Sequence, residues 1–374
     1  MAGIYIHIPY CRQACRYCDF HFVVSLWQKK ELIPLILREI EERKDYLGNE
    51  SIETIYFGGG TPSVLEISEL KSILLSLYRY YSISENAEIS FEANPEDLSL
   101  AYLIDLKNLG INRLSIGIQS FQDHDLELMH RIHDSSRAIQ SVRDAQQAGF
   151  KNISIDLIYG LPRQEEDSWQ NNLNTALSLG IQHFSAYHLT YESGTVFDHW
   201  RKKGRISSIP EEESLNQFRV LIKMAGKAGF EHYEISNFAL KGFESRHNKS
   251  YWEQKKYLGI GPSAHSFDTV SRRWNFSNNK KYLDGVSAGS EYYETEVLTV
   301  DNKYNEYVMT SMRTSKGVCH PKLKEQFGEQ KADFFISRIQ SFVKSGKVRV
   351  ENDCYILNEE GVFIADYIIE KTIA

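Results

Sequence analysis

Three of the five cysteines in this sequence lie close together near its start. Cys11, Cys15 and Cys18 have the spacing Cys-x3-Cys-x2-Cys, and Pro9 ends a short β-rich run just before them. Thiolates this close repel one another unless a metal neutralises their charge. The spacing therefore predicts a metal site on a loop that follows a strand.

The number of cysteines limits which metal this loop can bind. An iron–sulfur cube takes one ligand per iron, usually from four cysteines. With only three in reach, one iron is left open to an outside ligand such as the amine and carboxylate of an amino acid. The alternatives are plain buried thiols or a closed zinc site completed by His7 or His21.

The cysteine motif resembles that of the radical S-adenosylmethionine (SAM) superfamily. This resemblance implies a [4Fe–4S] cluster on Cys11, Cys15 and Cys18, with SAM on the fourth iron.

Composition indicates a soluble globular protein in a reducing compartment. The 374 residues are 42% hydrophobic with a net charge of −7, which argues against a nucleic-acid surface. No apolar run approaches membrane-spanning length, and the chain start lacks the basic residues of a signal peptide. The cysteines do not resemble a disulfide framework, so we expect Cys319 and Cys354 to be thiols rather than ligands, and the chain to be cytoplasmic.

Strand and helix patterns alternate along the first two thirds of the chain. This βα repeat predicts a parallel sheet that curls into an open, partial barrel of the (β/α)6 type, an α/β fold. The predicted strands are Ile4–Ile8, Ile52–Phe57, Glu88–Glu92, Arg113–Ile118, Asn152–Ile158, His183–Leu189 and His232–Ser236.

Polar and glycine-rich motifs fall where these strands end. Three glycines and Thr61 follow the second strand, Glu92 ends the third, Gln119 follows the fourth and Asp156 lies late in the fifth. Because barrels of this kind place their chemistry at the carboxyl ends of the strands, we expect these residues to share one rim with the cysteines. Each alone has a structural explanation, such as a helix-capping acid or a backbone-bonded amide.

Several of these residues suit SAM. Glycines lack Cβ, so backbone can approach the methionine amine closely, although a tight turn explains them equally well. Glu92 can accept hydrogen bonds from the ribose hydroxyls of SAM or balance the positive charge of its sulfonium. Gln119 can form hydrogen bonds to the ribose or to the methionine end of SAM.

Three longer side chains complete the expected site. Arg131 follows the short helix Asp123–His130 and can grip the methionine carboxylate in two parallel bonds. Tyr5 and Tyr17 flank the cysteines and can cover the adenine or the cluster. The alternatives are a solvated arginine and core aromatics.

Further motifs resemble those of the oxygen-independent coproporphyrinogen III oxidase family. They are Tyr-x-His-Ile-Pro-x-Cys-x3-Cys-x-Tyr-Cys, Gly-Gly-Gly-Thr-Pro, Phe-Glu-Ala-Asn-Pro, Arg-Leu-Ser-Ile-Gly-Ile-Gln-Ser-Phe and Asp-Leu-Ile-Tyr-Gly-Leu-Pro. By matching positions, the resemblance implies that the SAM contacts are Tyr5, Tyr17, Gly59, Gly60, Thr61, Glu92, Gln119, Arg131 and Asp156.

Two departures from that family's oxidases point to its haem-chaperone branch. Phe20 stands where the oxidase motif continues with a cysteine, and only four residues precede Tyr5 where the oxidases have a long arm. The branch implies haem binding and delivery to haem-requiring proteins, including respiratory ones, with peripheral membrane association. The alternative is the oxidase itself, which converts propionates of coproporphyrinogen to vinyl groups in porphyrin biosynthesis.

A second motif agrees with this branch. His247-Asn-Lys-Ser-Tyr251-Trp252 resembles its haem-binding HNxxYW motif. A neutral imidazole ligates haem iron, and aromatic rings pack on porphyrin. In a helix, His247 and Tyr251 would share one face. The alternative is a surface loop with a hydrogen-bonded histidine.

The pattern changes after about residue 300. Helices followed by a small hairpin predict a winged-helix-like domain, without the basic stripe of a DNA-binding surface. We therefore divide the chain into a radical SAM barrel at 1–236, a connecting segment with the haem motif at 237–300, and a C-terminal domain at 301–374.

Overall fold

The computed structural model of the chain describes residues 1–162 and 167–374. Six parallel strands pair in sequence order, as the βα repeat predicts. They are β1 (Ala2–Ile8), β2 (Ile52–Gly59), β3 (Ile83–Ala93), β4 (Arg113–Gln119), β5 (Ile153–Tyr159) and β6 (His183–His188). The (β/α)6 architecture is confirmed.

Helices connect these strands. They are α1 (Lys29–Glu42), α2 (Ile67–Tyr80), α3 (Leu100–Asn108), α4 (Asp123–Met129), α5 (Ser135–Gln147) and α6 (Ser168–Ser178), followed by α7 (Val196–Lys202) and α8 (Glu211–Lys227) after β6. Short 3₁₀ turns at Pro62–Val64 and Pro95–Asp97 follow β2 and β3.

The two faces of the parallel sheet differ in polarity. On one face, side chains such as Ile6, Phe57 and Phe91 are fully buried in the main hydrophobic core. Successive strand side chains point to opposite faces, so neighbours such as Tyr56 and Glu92 line the other face, the barrel interior. A parallel sheet buried in apolar material on both sides would lack this alternation, and the interior is therefore built to hold polar groups.

The sheet continues beyond the barrel on both sides. The added strands are β7 (Glu231–Glu234), β8 (Asn237–Ala239), β9 (Tyr257–Ile260), β10 (His265–Phe267), β11 (Ser271–Asn275) and β12 (Tyr293–Val297), with α9 (Arg246–Trp252) and α10 (Asn279–Ala288) between them. The order is β12-β11-β10-β9-β1-β2-β3-β4-β5-β6-β8-β7. A closed barrel has no edge strands. This sheet ends at β12 on one side and at β7 on the other, so the barrel is open.

The predicted strand His232–Ser236 forms as β7, but it is antiparallel to β8. Only two residues separate these strands, and a parallel crossover needs a dozen or more. The segment expected to be a connection, 237–300, instead extends the sheet, because β9 returns to pair in parallel with β1.

The C-terminal region has its own hydrophobic core, which includes Tyr304 and Phe335. Its helices are α11 (Val300–Met312), α12 (His320–Lys344), α13 (Glu359–Phe363) and α14 (Ala365–Thr372), and its small sheet contains β13 (Val318–Cys319), β14 (Val348–Glu351) and β15 (Cys354–Leu357). Helix α12 breaks at Gly328, where φ is 81° and the backbone is not helical.

One prediction about the cysteines is wrong. Cys319 and Cys354 are not thiols: they are directly opposite in the pairing of β13 with β15, their Cα atoms are 3.9 Å apart, and their sulfurs form a disulfide. Residues 35 positions apart meet because the strands pair, and cysteine spacing alone does not reveal such a pairing. Among the described residues, no helix combines the length and apolar character needed to cross a membrane.

Candidate cluster and cofactor site

The cysteine loop follows β1 at the carboxyl edge of the sheet. Its backbone is fixed by hydrogen bonds from Cys11 N to Val23 O (3.1 Å) and from Val23 N to Pro9 O (2.9 Å). Cys11, Cys15 and Cys18 are free thiols and only partly buried. The loop thus presents three sulfurs from one short segment.

The thiols need a positive partner to ionise. Burial raises the pKa of Cys11 to about 11 and that of Cys18 to about 12, so metal binding at neutral pH must displace their protons. Within residues 1–162 and 167–374, no three His, Cys, Asp or Glu side chains are placed to hold one metal ion. In a cube, each cysteine ligates a different iron.

A chain of hydrogen bonds links the cysteine loop to the strand ends. Thr61 Oγ1 donates to Cys11 Sγ at 3.2 Å, and Asn94 Nδ2 donates to Thr61 Oγ1 at 3.3 Å. Arg131 Nη2 donates to Asn94 Oδ1 at 2.7 Å, and its Nη1 donates to Cys15 Sγ at 3.3 Å. These contacts bring β2, β3 and the segment after α4 together around two of the three sulfurs.

Arg131 is the positive charge of this network. Burial lowers its pKa, but the neighbouring Tyr17 and Cys15 outweigh burial, and the net effect raises the pKa above its ordinary value. Arg131 Nη2 also donates to Gly117 O at 2.7 Å, while its buried Nε has no partner among the described residues. An N–H group without an acceptor, beside the sulfurs, fits an incoming carboxylate.

The glycine run is needed for close packing. Gly59 has φ 109°, and a Cβ there would lie 2.7 Å from the ring of His7. At Gly60 a Cβ would lie 2.7 Å from Tyr10 O. The backbone after β2 therefore lies directly against β1 and the cysteine loop, a cradle that no larger residue allows.

Glu92 lies at the end of β3 in the barrel interior. Its carboxylate accepts from Tyr56 Oη at 2.7 Å and from Gly59 N at 3.3 Å. Burial, reinforced by the charge of Asp156, raises the pKa of Glu92 to about 7. Fully buried Arg113 lies on the adjacent strand and partly offsets this effect.

Asp156 and Gln119 occupy the next two strand ends. Burial raises the pKa of Asp156, although bonds to Ser185 and Ser115 oppose the shift. Gln119 has φ 72°, which is rare for a residue other than glycine, and the pairing of β4 with β5 is irregular beside it. Such strain clusters at functional sites, and it supports a site role for Gln119.

The two flanking tyrosines lie on different sides of the site. Tyr17 lies beside Cys15 and packs with residues of α4. Tyr5 stacks on Tyr56, with ring centroids 6.1 Å apart, and on His247, at 6.4 Å. Tyr5 therefore contacts both the Glu92 network and the predicted haem motif.

The predicted haem motif lies in a helix, α9 (Arg246–Trp252), so His247 and Tyr251 are one turn apart. His247 is 1% exposed, and both of its ring nitrogens are engaged: Nδ1 with Thr54 Oγ1 at 2.7 Å and Nε2 with Tyr251 Oη at 2.8 Å. Burial lowers the pKa of His247 to about 3, so its ring is neutral. Trp252 is partly buried, and its Nε1 has no partner in the described part of the chain.

His7 and His21, the alternative zinc ligands, contact each other, and within the described residues neither joins the cysteines in a group that could hold one metal ion. His7 Nδ1 bonds Tyr5 Oη at 3.2 Å, and His7 Nε2 bonds His21 O at 3.1 Å. His21 Nε2 bonds Asn279 Oδ1 at 2.8 Å. The two histidines line the wall of a cavity behind the cysteine loop.

Sequence reasoning missed Asn94 as a site residue. It lies in the Phe-Glu-Ala-Asn-Pro motif, directly before the 3₁₀ turn, and joins Thr61 to Arg131. The signal was its position two residues after Glu92 at the same strand end.

Two family descriptions match this chain. Residues 5–176 match the radical SAM superfamily, and residues 298–364 match the HemN C-terminal domain. The first range contains the cysteine loop and all nine predicted SAM contacts.

Full-length relatives also match. The chain is 33% identical over 369 residues to the heme chaperone HemW of Bacillus subtilis, covering 98% of this chain and 97% of the relative. It is 30% identical over 374 residues to the heme chaperone HemW of Mycobacterium tuberculosis, covering 98% and 93%.

A solved structure supports the fold. Coproporphyrinogen III oxidase (HemN) from Escherichia coli aligns with a TM-score of 0.87 at 23% identity, covering 100% of this chain and 90% of that one. At this identity, the match establishes the shared fold alone.

Proposed function

We propose that this chain, which belongs to the HemW family of radical SAM proteins, is a haem chaperone that binds haem and passes it to haem-requiring proteins. One observation carries the proposal beyond the likeness to relatives. Helix α9 contributes Tyr251 to the lining of a cavity that is also lined by Phe20 and His21 of the cysteine loop. The predicted haem motif and the predicted cluster loop therefore border one space.

In this proposal Cys11, Cys15 and Cys18 hold a [4Fe–4S] cluster and leave one iron for SAM. The cluster and SAM, when bound, supply one-electron chemistry. The fit is supported by three free sulfurs, the glycine cradle and the unpaired Nε of Arg131. The residues proposed to contact SAM are Tyr5, Tyr17, Gly59, Gly60, Thr61, Glu92, Gln119, Arg131 and Asp156.

Each polar group has a proposed task. Arg131 holds the methionine carboxylate and is itself oriented by Asn94 and Gly117 O. Glu92, fixed by Tyr56 and Gly59 N, faces the positive part of SAM or its ribose. The backbone of Gly59 and Gly60 is proposed to lie against the methionine amine of SAM.

The haem is proposed to lie against α9, with His247, Tyr251 and Trp252 as its site. Tyr251 is the member of this set that lines the cavity. His247 bonds Tyr251 Oη and thereby fixes the ring. Delivery to respiratory proteins, peripheral membrane association and a cytoplasmic location remain predictions.

Haem titration of the anaerobically reconstituted chain tests this function. We expect a saturable Soret band that His247→Ala weakens, because the variant loses the bond that holds Tyr251. His199→Ala is a matched control: His199 is exposed on α7 and lies outside the cavity. Absence of saturable binding to the parent chain would contradict the proposal.

The same preparation separates the chaperone from the oxidase. Reduced, cluster-loaded protein is incubated with SAM and coproporphyrinogen. A chaperone leaves the substrate unchanged, whereas sustained formation of protoporphyrinogen would establish the oxidase instead. Zinc without iron or sulfide in the purified protein would overturn the cluster assignment.

A further inference from the structure

A cavity of about 370 Å³ lies between the cysteine loop, β1, α9 and the strands β9 to β11. This volume falls within the range of small-molecule sites. Its lining includes Tyr5, His7, Phe20, His21, Tyr251, Gln254, Tyr257, Ser263, His265, Phe267, Arg272 and Thr310.

The apolar part of the wall is aromatic. Tyr251 and Tyr257 meet edge to face with centroids 4.6 Å apart, and Phe267 follows at 6.2 Å from Tyr257. Phe20 is 71% exposed at the cavity edge. A flat, apolar macrocycle placed here would cover Phe20 and pack on the other rings.

Three histidines line this cavity, but they differ in what their nitrogens already bind. His7 uses both ring nitrogens within the protein, and His21 uses Nε2. The ring of His265 stacks on Trp274, with centroids 6.1 Å apart. Among the described residues, neither ring nitrogen of His265 has a hydrogen-bond partner.

The neighbours of His265 keep its ring available as a ligand. Partial desolvation and the nearby Arg272 lower the pKa of the exposed His265, which favours the neutral imidazole that iron ligation uses. Arg272 itself bonds Glu306 and Tyr257 Oη and lies over the Phe267 ring. A guanidinium at the wall also suits the carboxylates of a porphyrin.

We propose that haem occupies this cavity with His265 as an axial iron ligand, and that His247 acts as a positioning residue that holds Tyr251. The porphyrin supplies four of the iron's ligands, so the protein needs to add only one or two. The inference rests on the proposed function, because it assumes that haem is the bound molecule. The motif predicts His247 as the haem ligand, but both ring nitrogens of His247 are hydrogen-bonded within the protein. Among the described residues, neither ring nitrogen of His265 is hydrogen-bonded, and we therefore assign the ligand to His265.

The test compares ferric haem with metal-free protoporphyrin IX as probes. For His265→Ala we expect haem affinity to fall about tenfold or more, with a shifted Soret band. Metal-free porphyrin has no iron to ligate, so its affinity should be nearly unchanged. Added imidazole should restore the parental band in this variant. His265→Gln keeps a polar side chain and serves if the alanine variant does not fold.

The controls separate this proposal from the function on which it rests. In His247→Ala we expect weaker binding of both probes, because packing rather than ligation is lost; His199→Ala should bind both normally. A parental Soret band and affinity in both His265 variants would overturn the ligand assignment while leaving haem binding intact. An equal loss of affinity for ferric haem and for metal-free protoporphyrin IX in the His265 variants would also overturn the ligand assignment. Failure of the parent chain to bind haem would defeat the proposed function itself.

Discussion

The affinity of this chain for SAM should depend on pH through Glu92. Burial raises the pKa of this carboxyl from 4.5 to about 7. The proposed charge contact with the sulfonium requires the ionised form, and ribose hydroxyls bond more strongly to a carboxylate than to the neutral acid. At about pH 5.5 a group with this pKa is roughly 3% ionised, and at about pH 8 it is roughly 90% ionised. SAM affinity should therefore rise by up to about 30-fold across this range and then level off.

The same shift affects stability in the opposite sense. A carboxyl whose pKa is raised on folding contributes stability that is complete below its ordinary pKa and is lost as pH rises through its folded value. The shift from 4.5 to about 7 corresponds to a loss of up to about 3 kcal/mol. Glu92→Gln cannot ionise, so without ligand at about pH 8 it should be more stable than the parent by up to that amount, yet bind SAM more weakly.

Glu234→Gln is a matched control for this prediction. Burial raises the pKa of Glu234 to about 7 as well, but Glu234 lies on β7, where it bonds Asn237. Its variant should gain stability at alkaline pH and keep the parental SAM affinity. Isothermal titration with SAM and denaturant unfolding measure the two quantities. The reasoning would be refuted if the SAM affinity of the parent did not change with pH, or if the SAM affinity of Glu92→Gln changed with pH as steeply as that of the parent.

Three further perturbations follow from the structure. Cys15→Ser should reduce iron and sulfide content to background, because two thiolates do not hold a stable cube; elemental analysis checks this. Arg131→Lys should retain the iron but weaken SAM binding about tenfold or more, since an ammonium lacks the planar fork that reaches three acceptors. Reducing the Cys319–Cys354 disulfide should lower the free energy of unfolding by about 4 kcal/mol, from the 35-residue separation.

Each of these has its own control and contradicting result. Normal iron content and spectrum in Cys15→Ser would argue against a three-cysteine cluster. Parental SAM affinity in Arg131→Lys would show that the guanidinium does not hold the ligand. For the disulfide, alkylation before and after reduction, followed by peptide mass mapping, should show Cys319 and Cys354 alkylated only after reduction, whereas the free thiols Cys11, Cys15 and Cys18 can react before it; alkylation of Cys319 and Cys354 before reduction would contradict the pairing.

Much of the barrel was predictable from local sequence signals. Short β-rich runs alternating with helical patterns indicated the strands, and the βα repeat predicted a parallel sheet. Because carboxyl ends of parallel strands meet at one edge, Glu92 and Thr61 could be placed near the cysteines before any contact was known. Arg131 lies within bonding distance of Cys15 as a direct result of that arrangement.

The features that escaped prediction depend on long-range pairing. Strand β9 returns to pair with β1, and His265, on the following strand, thereby comes to line the same cavity as Tyr5. Cys319 and Cys354 meet through the register of two short strands. One ring nitrogen of His247 is hydrogen-bonded to Thr54 because α9 packs on β2. The other is hydrogen-bonded to Tyr251 on the same helix. A motif identifies residue types but not which of their atoms remain free.

Transfer of haem from the loaded chain to the apo form of a haem protein tests the central claim most directly. The chain, reconstituted with its cluster and SAM, is loaded with haem, freed of excess and mixed with the acceptor under anaerobic conditions. We predict that the Soret band of the acceptor grows while that of the chain declines, faster than spontaneous haem loss into buffer containing a passive scavenger. Haem that stays on the chain, or leaves no faster than into the scavenger, would contradict a chaperone role.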